Sequence, residues 1–278
     1  MKHTESRCLN CRQLLLMNQR FCHQCGQKTD THRINFHFLV HEVPHSIFHV
    51  DNGILFTLKE LFTRPGHSIR EYLEGKRQQH FKPVMLVLIM GSLCALTQFL
   101  LNSKPKAETE VFKGDISGTN ITKYIDFNGF ISYFRHIVDW LGSHLAFTVL
   151  LMLPIAAFGF YLGFRKYKLN YPEWFVIFLF LAGQSLTVYI LFIFLNRFAG
   201  NFNPLFFLVC LGLVIFSLIQ LFEERGRKYV ILRALWATVL TYFFGLIYLL
   251  LSIIIVAAIG LMMYGYGNII TELQNGKL

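Results

Sequence analysis

Five runs of about twenty apolar residues dominate this chain, and a helix of that length crosses the ~30 Å hydrocarbon core of a bilayer. They fall at about 83–101, 143–164, 174–195, 204–222 and 234–263. Lipid offers backbone N–H and C=O groups no water, so such runs fold as helices that satisfy themselves internally. Pro83 opens the first at a position where proline costs nothing, and Pro154 predicts a kink in the second. The fifth is long enough to tilt, or to end in a Gly-rich turn at Gly260, Gly265 and Gly267. Hydrophobic residues make up 54% of the chain, Phe alone contributes 29, and only 15% are charged, which fits lipid as the main solvent. The fold class is therefore an all-α integral membrane protein of about five transmembrane helices.

Loop charges give the orientation. Arg64, Arg70, Lys76, Arg77 and Lys82 precede the first run; Arg165, Lys166 and Lys168 separate the second and third; Arg225, Arg227, Lys228 and Arg233 separate the fourth and fifth. With five spans all three groups share one side, and the positive-inside rule makes it the cytoplasm. The opposite side has Arg197 and the long loop 102–142, whose cations are dispersed among carboxylates. The expectation is a cytoplasmic N-terminus and an extracytoplasmic C-terminus. In a water-soluble protein the net charge of +10 would suggest nucleic acid; here it reads as cationic loops beside anionic headgroups. Residues 1–30 are polar, so no cleavable signal peptide is expected.

Those residues carry Cys8-Leu9-Asn10-Cys11 and Cys22-His23-Gln24-Cys25-Gly26, two CxxC pairs separated by ten residues. Each pair turns two sulfurs toward one point, and four thiolates complete a closed tetrahedral site, the spacing of a structural zinc ribbon. Such a site needs reduced thiols, which again places this end in the cytoplasm. Cys94 and Cys210 lie in apolar runs and read as packing residues.

Three parts follow: a zinc ribbon at 1–30, amphipathic interfacial helices at 31–82, and a five-span bundle at 83–278 with an outer loop at 102–142. The middle part has two apolar stripes, Phe36 to Val50 and Ile54 to Phe62, then a break at Arg64-Pro65-Gly66 and a third short helix. Amphipathic helices beside a span lie in the interface plane or cap the bundle. Pro65-Gly66 turns into a helix whose free N–H groups attract phosphate, and Arg64, Lys76, Arg77 and Lys82 are the cations near it. These five sites (Arg64, Gly66, Lys76, Arg77 and Lys82) are candidates for binding a lipid headgroup or another anionic ligand. The bland alternative is that the cations anchor the first span.

The wording of this region is distinctive. Phe21-Cys22-His23-Gln24-Cys25-Gly26-Gln27, His49-Val50-Asp51-Asn52-Gly53, Thr57-Leu58-Lys59-Glu60-Leu61, Arg64-Pro65-Gly66 and Gly75-Lys76-Arg77 before Phe81-Lys82-Pro83 resemble an uncharacterised family of bacterial multi-pass membrane proteins headed by a zinc ribbon. The resemblance covers about the first third of the chain. It implies a protein of the bacterial inner membrane and supplies topology, with no chemistry.

Two motifs invite a catalytic reading. His41-Glu42-Val43-Pro44-His45 fits H-E-x-x-H, in which two histidines one helical turn apart bind zinc and the glutamate activates water. Pro44 disturbs that register by removing a helical hydrogen bond and disfavouring helix at Val43. His37, His41, His45 and His49 form a wider i, i+4 series that could hold a second metal or sense pH, although the same proline interrupts it. The ribbon itself, ringed by Arg7, Arg12, Arg20, Lys28 and Arg33, offers only Phe21 for stacking bases, which disfavours nucleic acid and favours a protein-docking module.

The spans hold no Asp, Glu, Lys or Arg well inside the bilayer, which lowers the case for an ion-coupled pump. Uncharged polar residues remain: Thr97, Gln98, Gln184, Ser185, Thr187, Thr238, Thr241 and Tyr242. No GxxxG-type signal stands out strongly enough to predict an oligomer. The leading expectation is a non-enzymatic scaffold or regulatory protein whose metal head docks a cytoplasmic partner. The second is an oligomeric channel or lipid-handling protein using the polar faces, and the third a metallohydrolase centred on His41, Glu42 and His45.

Overall fold

The computed structural model describes residues 7–16, 19–38, 53–101 and 127–264. Its helices are α1 (Gly53–Thr63), α2 (Pro65–Leu73), α3 (Pro83–Leu100), α4 (Phe127–Ser143), α5 (Leu145–Gly163), α6 (Tyr171–Phe198), α7 (Asn203–Leu221) and α8 (Arg227–Tyr264). Proline stands in the first two positions of α2, α3, α6 and α7, where its missing N–H would have had no helical partner. α3, α5, α6, α7 and α8 are long and apolar enough to cross a membrane.

Two of these begin earlier than hydropathy suggests. α6 starts at Tyr171 because Asn170 caps it: its side chain accepts from the Glu173 N–H at 2.8 Å, and Glu173 accepts from the Asn170 N–H at 2.7 Å. This is a reciprocal capping box, which satisfies two orphan donors. α8 starts at Arg227 rather than near Ala234, so its first two turns are a polar extension of the span.

α6 is the hub. Within its most apolar window 67% of residues are buried, against 6% for α8, whose outer face of Leu, Ile and Phe suits lipid. Close approach is bought with small residues. Gly159 and Gly163 of α5 lie against Thr241 and Ala237 of α8, Gly91 of α3 against Ala146 of α5, and Gly183 of α6 against Leu86 of α3. Between membrane helices association rests on such packing rather than on a hydrophobic drive.

α1 and α2 cap one end of the bundle rather than lying alongside it. Leu61, Thr57, Ile69 and Tyr72 are buried. The Gln184 side-chain amide donates to the Leu61 carbonyl at 2.6 Å, and the Phe81 N–H donates to the Thr57 hydroxyl at 2.7 Å. Gly66 packs directly on the backbone of α7 at Ser217 and Leu221. Arg70 donates to the Gln220 and Leu221 carbonyls and pairs with Glu223 at 2.6 Å, closing the C-terminus of α7.

The chain thus has two ends. The start of α3, the α5–α6 turn (with a 3₁₀ helix at Arg165–Tyr167) and the α7–α8 turn meet α1 and α2 at one end. Phe164, Phe222, Tyr167 and Tyr229 are in ring contact there. At the other end, Arg197 donates to the Leu101 carbonyl at 3.2 Å and Asn196 bonds Asn203 at 2.8 Å. The three basic loop groups therefore gather at one end, as expected of five spans. The amphipathic stretch from Phe127 is helical as α4, where Trp140 stacks on His144.

Candidate metal centre and adjoining cleft

The residues around the two CxxC pairs form two matching turns. In the first, the Arg12 N–H donates to the Cys8 carbonyl at 2.9 Å; in the second, the Gly26 N–H donates to the Cys22 carbonyl at 2.8 Å. The donor residue is left-handed in both, with φ of 61° at Arg12 and 74° at Gly26. Glycine takes that conformation freely and arginine does not. The expected ribbon is reduced to isolated bridges, Arg7 with Leu14 and Phe21 with Lys28.

The turns bring Cys8, Cys11, Cys22 and Cys25 together with all four sulfurs within 4.8 Å of one another. Cys8 and Cys25 are 3.6 Å apart, as are Cys11 and Cys22. A tetrahedron with ~2.3 Å metal–sulfur bonds has edges of about 3.8 Å, so the donor set fits one four-coordinate ion with no open position. The backbone favours thiolate. Burial pushes Cys25 up, but the Gln27 N–H helps hold it down to about 7. Cys22 is likewise held down by the Cys25 and Gln24 N–H groups against its burial. Cys11 has the Gln13 N–H, yet burial and the neighbouring sulfurs push it up to about 12. A divalent cation relieves that crowding of negative charge.

The cluster is fastened to the bundle. Gln27 is buried, and its side-chain oxygen accepts from the Arg77 and Gln78 N–H groups at 3.2 and 2.9 Å. Arg33 reaches Glu173 through two bonds of 2.5 and 2.8 Å and donates to the Lys168 carbonyl at 2.5 Å. The Asn170 amide donates to the Ile34 carbonyl at 2.8 Å. Leu9 and Thr31 press on Gly75, which is itself left-handed at φ 105°. The spacing of the cysteines signals the cluster. Gln27, Arg33 and Glu173 carry no comparable signal, because each acts only once distant segments meet.

Between the second turn, residues 30–38 and the approach to α3 lies a cleft of about 450 Å³. Among the described residues Lys28, Arg33, Arg77 and Lys82 line it, with the carboxylate of Asp30. Asp30 pairs with His32 at 2.8 Å. The Arg77 guanidinium sits 4.4 Å over the Phe38 ring and donates to the His32 carbonyl at 3.0 Å. His80 lies on the wall, 7% exposed, edge-on to Phe56, Tyr72 and Phe180, with no hydrogen-bond partner for Nδ1.

The anion candidates part company here. Arg77 and Lys82 line the cleft. Arg64 is instead bound to Glu60 and Glu71, and Lys76 to Glu71 at 3.4 Å. The Gly66 N–H at the start of α2 donates to the Gln220 side chain at 3.1 Å. That N–H is already satisfied within the protein. His37 is exposed on the cleft; His41, Glu42, His45 and His49 lie outside the described residues.

Fold and cluster together define a multi-pass helical membrane protein with a four-cysteine, metal-type cluster at one end. Over residues 51–94, from just before α1 into α3, the chain is similar to a family whose model is described as Protein of unknown function (DUF3667). No curated protein and no solved structure matches it.

Proposed function

We propose that this protein is a non-enzymatic scaffold of the bacterial inner membrane, with a zinc-loaded head on the cytoplasmic side that docks a cytoplasmic protein. Zinc is the ion that suits four converging thiolates in a closed site, where it stabilises structure. The observation that carries the reading is the mounting of the head. Gln27, Arg33 and Asn170 hold it rigidly on the bundle, while Leu14, Leu16 and Phe21 stay exposed on a unit only about thirty residues long. Exposed apolar side chains on a small fixed unit suit a partner surface. The basic loops at the same end support a cytoplasmic head and an extracytoplasmic C-terminus.

The test is affinity purification of the full chain from membranes, as wild type, Leu14→Asp/Leu16→Asp and Cys22→Ser. The expected result is a cytoplasmic protein retained by the wild type and lost from both variants, with zinc content unchanged in the first. Identical recovery from all three would refute docking through the head. Impermeant thiol labelling of single-cysteine reporters at each terminus checks the orientation.

A lipid-handling reading has one observation in its favour, the basic cleft at the start of the first span.

A further inference from the structure

We propose that α1 is seated in the membrane leaflet nearest the cysteine cluster, with the face that carries Leu55, Lys59 and Phe62 turned to phospholipid acyl chains. The proposal stands whether or not the head docks a protein.

The helix is inside out for a surface in water. Leu55 is 76% exposed and Phe62 43%, two turns apart on one face. The opposite face buries Thr57 and Glu60 along with Leu61. Glu60 is held there by its ion pair with Arg64. A helix that faces water turns its polar residues outward and buries the apolar ones. Lys59 stands between Leu55 and Phe62, and a lysine on such a face lays its methylene stem along the apolar surface while its amine reaches the headgroups.

Two hydrogen bonds fix the depth of α1. The first ties the Leu61 carbonyl to the Gln184 side chain at 2.6 Å. Gln184 is the fourteenth of the 28 residues of α6, about 21 Å from its far end at 1.5 Å per residue. Wherever a ~30 Å core is laid along α6, Gln184 therefore lies about 9 Å or more inside it. The second ties the Thr57 hydroxyl to the Phe81 N–H at 2.7 Å, two residues before α3. α3 has only 18 residues, about 27 Å, so it needs its whole length to cross and starts at the edge of the core. α1 is thus held at the boundary between headgroups and acyl chains, where amphipathic helices bury their apolar faces.

At that depth the neighbour of an open apolar face is lipid. Acyl chains remove Leu55 and Phe62 from water without a protein partner, whereas the same face in the cytoplasm would leave both unburied. The cap over the start of α3 is then closed from two sides. Thr57, Glu60 and Leu61 close it from within the protein, and the leaflet closes it from without.

The experiment uses the full-length, metal-loaded protein in liposomes of phosphatidylethanolamine and phosphatidylglycerol. Photoreactive p-benzoylphenylalanine replaces Leu55, Phe62, Leu250 or Leu16 in turn, and the adducts formed on irradiation are identified by mass spectrometry. Leu250, exposed on the apolar face of α8, is the lipid-facing standard. Leu16, 70% exposed on the head, is nearly as open as Leu55 but lies outside the spans. Metal content and melting temperature verify that each variant is folded. Positions 55 and 62 are expected to give phospholipid adducts at the level of position 250, and position 16 to give none above the unirradiated background. Loss of lipid adducts at either α1 position, capture of another segment or a second copy of the chain in their place, or an equal lipid yield at position 16 overturns the proposal.

Discussion

Acid should destabilise this protein through His80. The ring is 7% exposed among Phe56, Tyr72 and Phe180, with centroids 5.5, 6.0 and 6.5 Å away. Burial lowers its pKa from 6.5 to about 4; Glu71 opposes this, and Arg64 and Lys76 reinforce it. The unfolded chain therefore takes up the proton first as pH falls. Stability is intact above about pH 6.5 and drains away until the folded form also protonates near pH 4. At about 1.4 kcal/mol per pH unit, the displacement is worth about 3 kcal/mol. The cysteine cluster also responds to acid, so the measurement must isolate the histidine. His80→Phe keeps an aromatic ring in the cage and removes the titration. Thermal unfolding of both proteins in detergent with saturating zinc, followed by tryptophan fluorescence from about pH 7.5 to about pH 4.5, gives the difference curve. The wild type should lose stability relative to His80→Phe below about pH 6.5, by about 2 kcal/mol or more at the acid end. Parallel curves would show that His80 does not protonate on unfolding, and would refute its burial as a neutral group.

Two further outcomes follow from backbone geometry. Gly66→Ala places a methyl against the Ser217 carbonyl, the Gln220 side chain and the Leu221 nitrogen, so α2 must lift from α7; the expected cost is about 1–3 kcal/mol, read as a lower melting temperature in detergent. Arg12→Gly relieves a left-handed arginine at the turn position where the second CxxC pair uses Gly26; the expected gain is about 1 kcal/mol, read as slower zinc loss to a chelator.

The parts legible in the sequence are those governed by local rules. Lipid requires apolar length, so five spans could be counted. Thiolate geometry requires CxxC turns, so four cysteines could be grouped. Helix starts were partly written as well. Asn170 and Glu173 stand at capping-box spacing, a signal stronger than the hydropathy edge that places the start of α6 three residues late. Small residues four apart occur on both α5 and α8, as Gly159 with Gly163 and Ala237 with Thr241, and the fold uses that pattern between its own helices. What local rules could not give was the partner of each charge. The free N–H logic at Pro65-Gly66 is sound for an isolated helix, but tertiary packing hands that donor to Gln220. Likewise the cations Arg64 and Lys76 are taken by Glu60 and Glu71. Only the assembled fold shows that Arg77 and Lys82 share a cleft with Lys28, some fifty residues earlier.

α6 is longer than one crossing of the bilayer requires. Its 28 residues span about 42 Å at 1.5 Å per residue, more than the ~30 Å hydrocarbon core, whereas the 18 residues of α3 span about 27 Å. The N-terminal turns of α6 lie at the end where the cysteine cluster sits. They carry Trp174, Phe178 and Phe180, which water would penalise, so the chain must cover them. α1, α2 and the tail of α5 do so: Tyr72 and His80 meet Phe180, and Phe160 and Phe164 meet Trp174. The segment similar to the DUF3667 family is thus the cover over an over-long helix. Glu173, on the first turn of that helix, is also the anchor for Arg33. The start of α6 is therefore tied to the head region twice, by the Glu173–Arg33 ion pair and by the Asn170 amide on the Ile34 carbonyl, and Arg33 also lines the cleft.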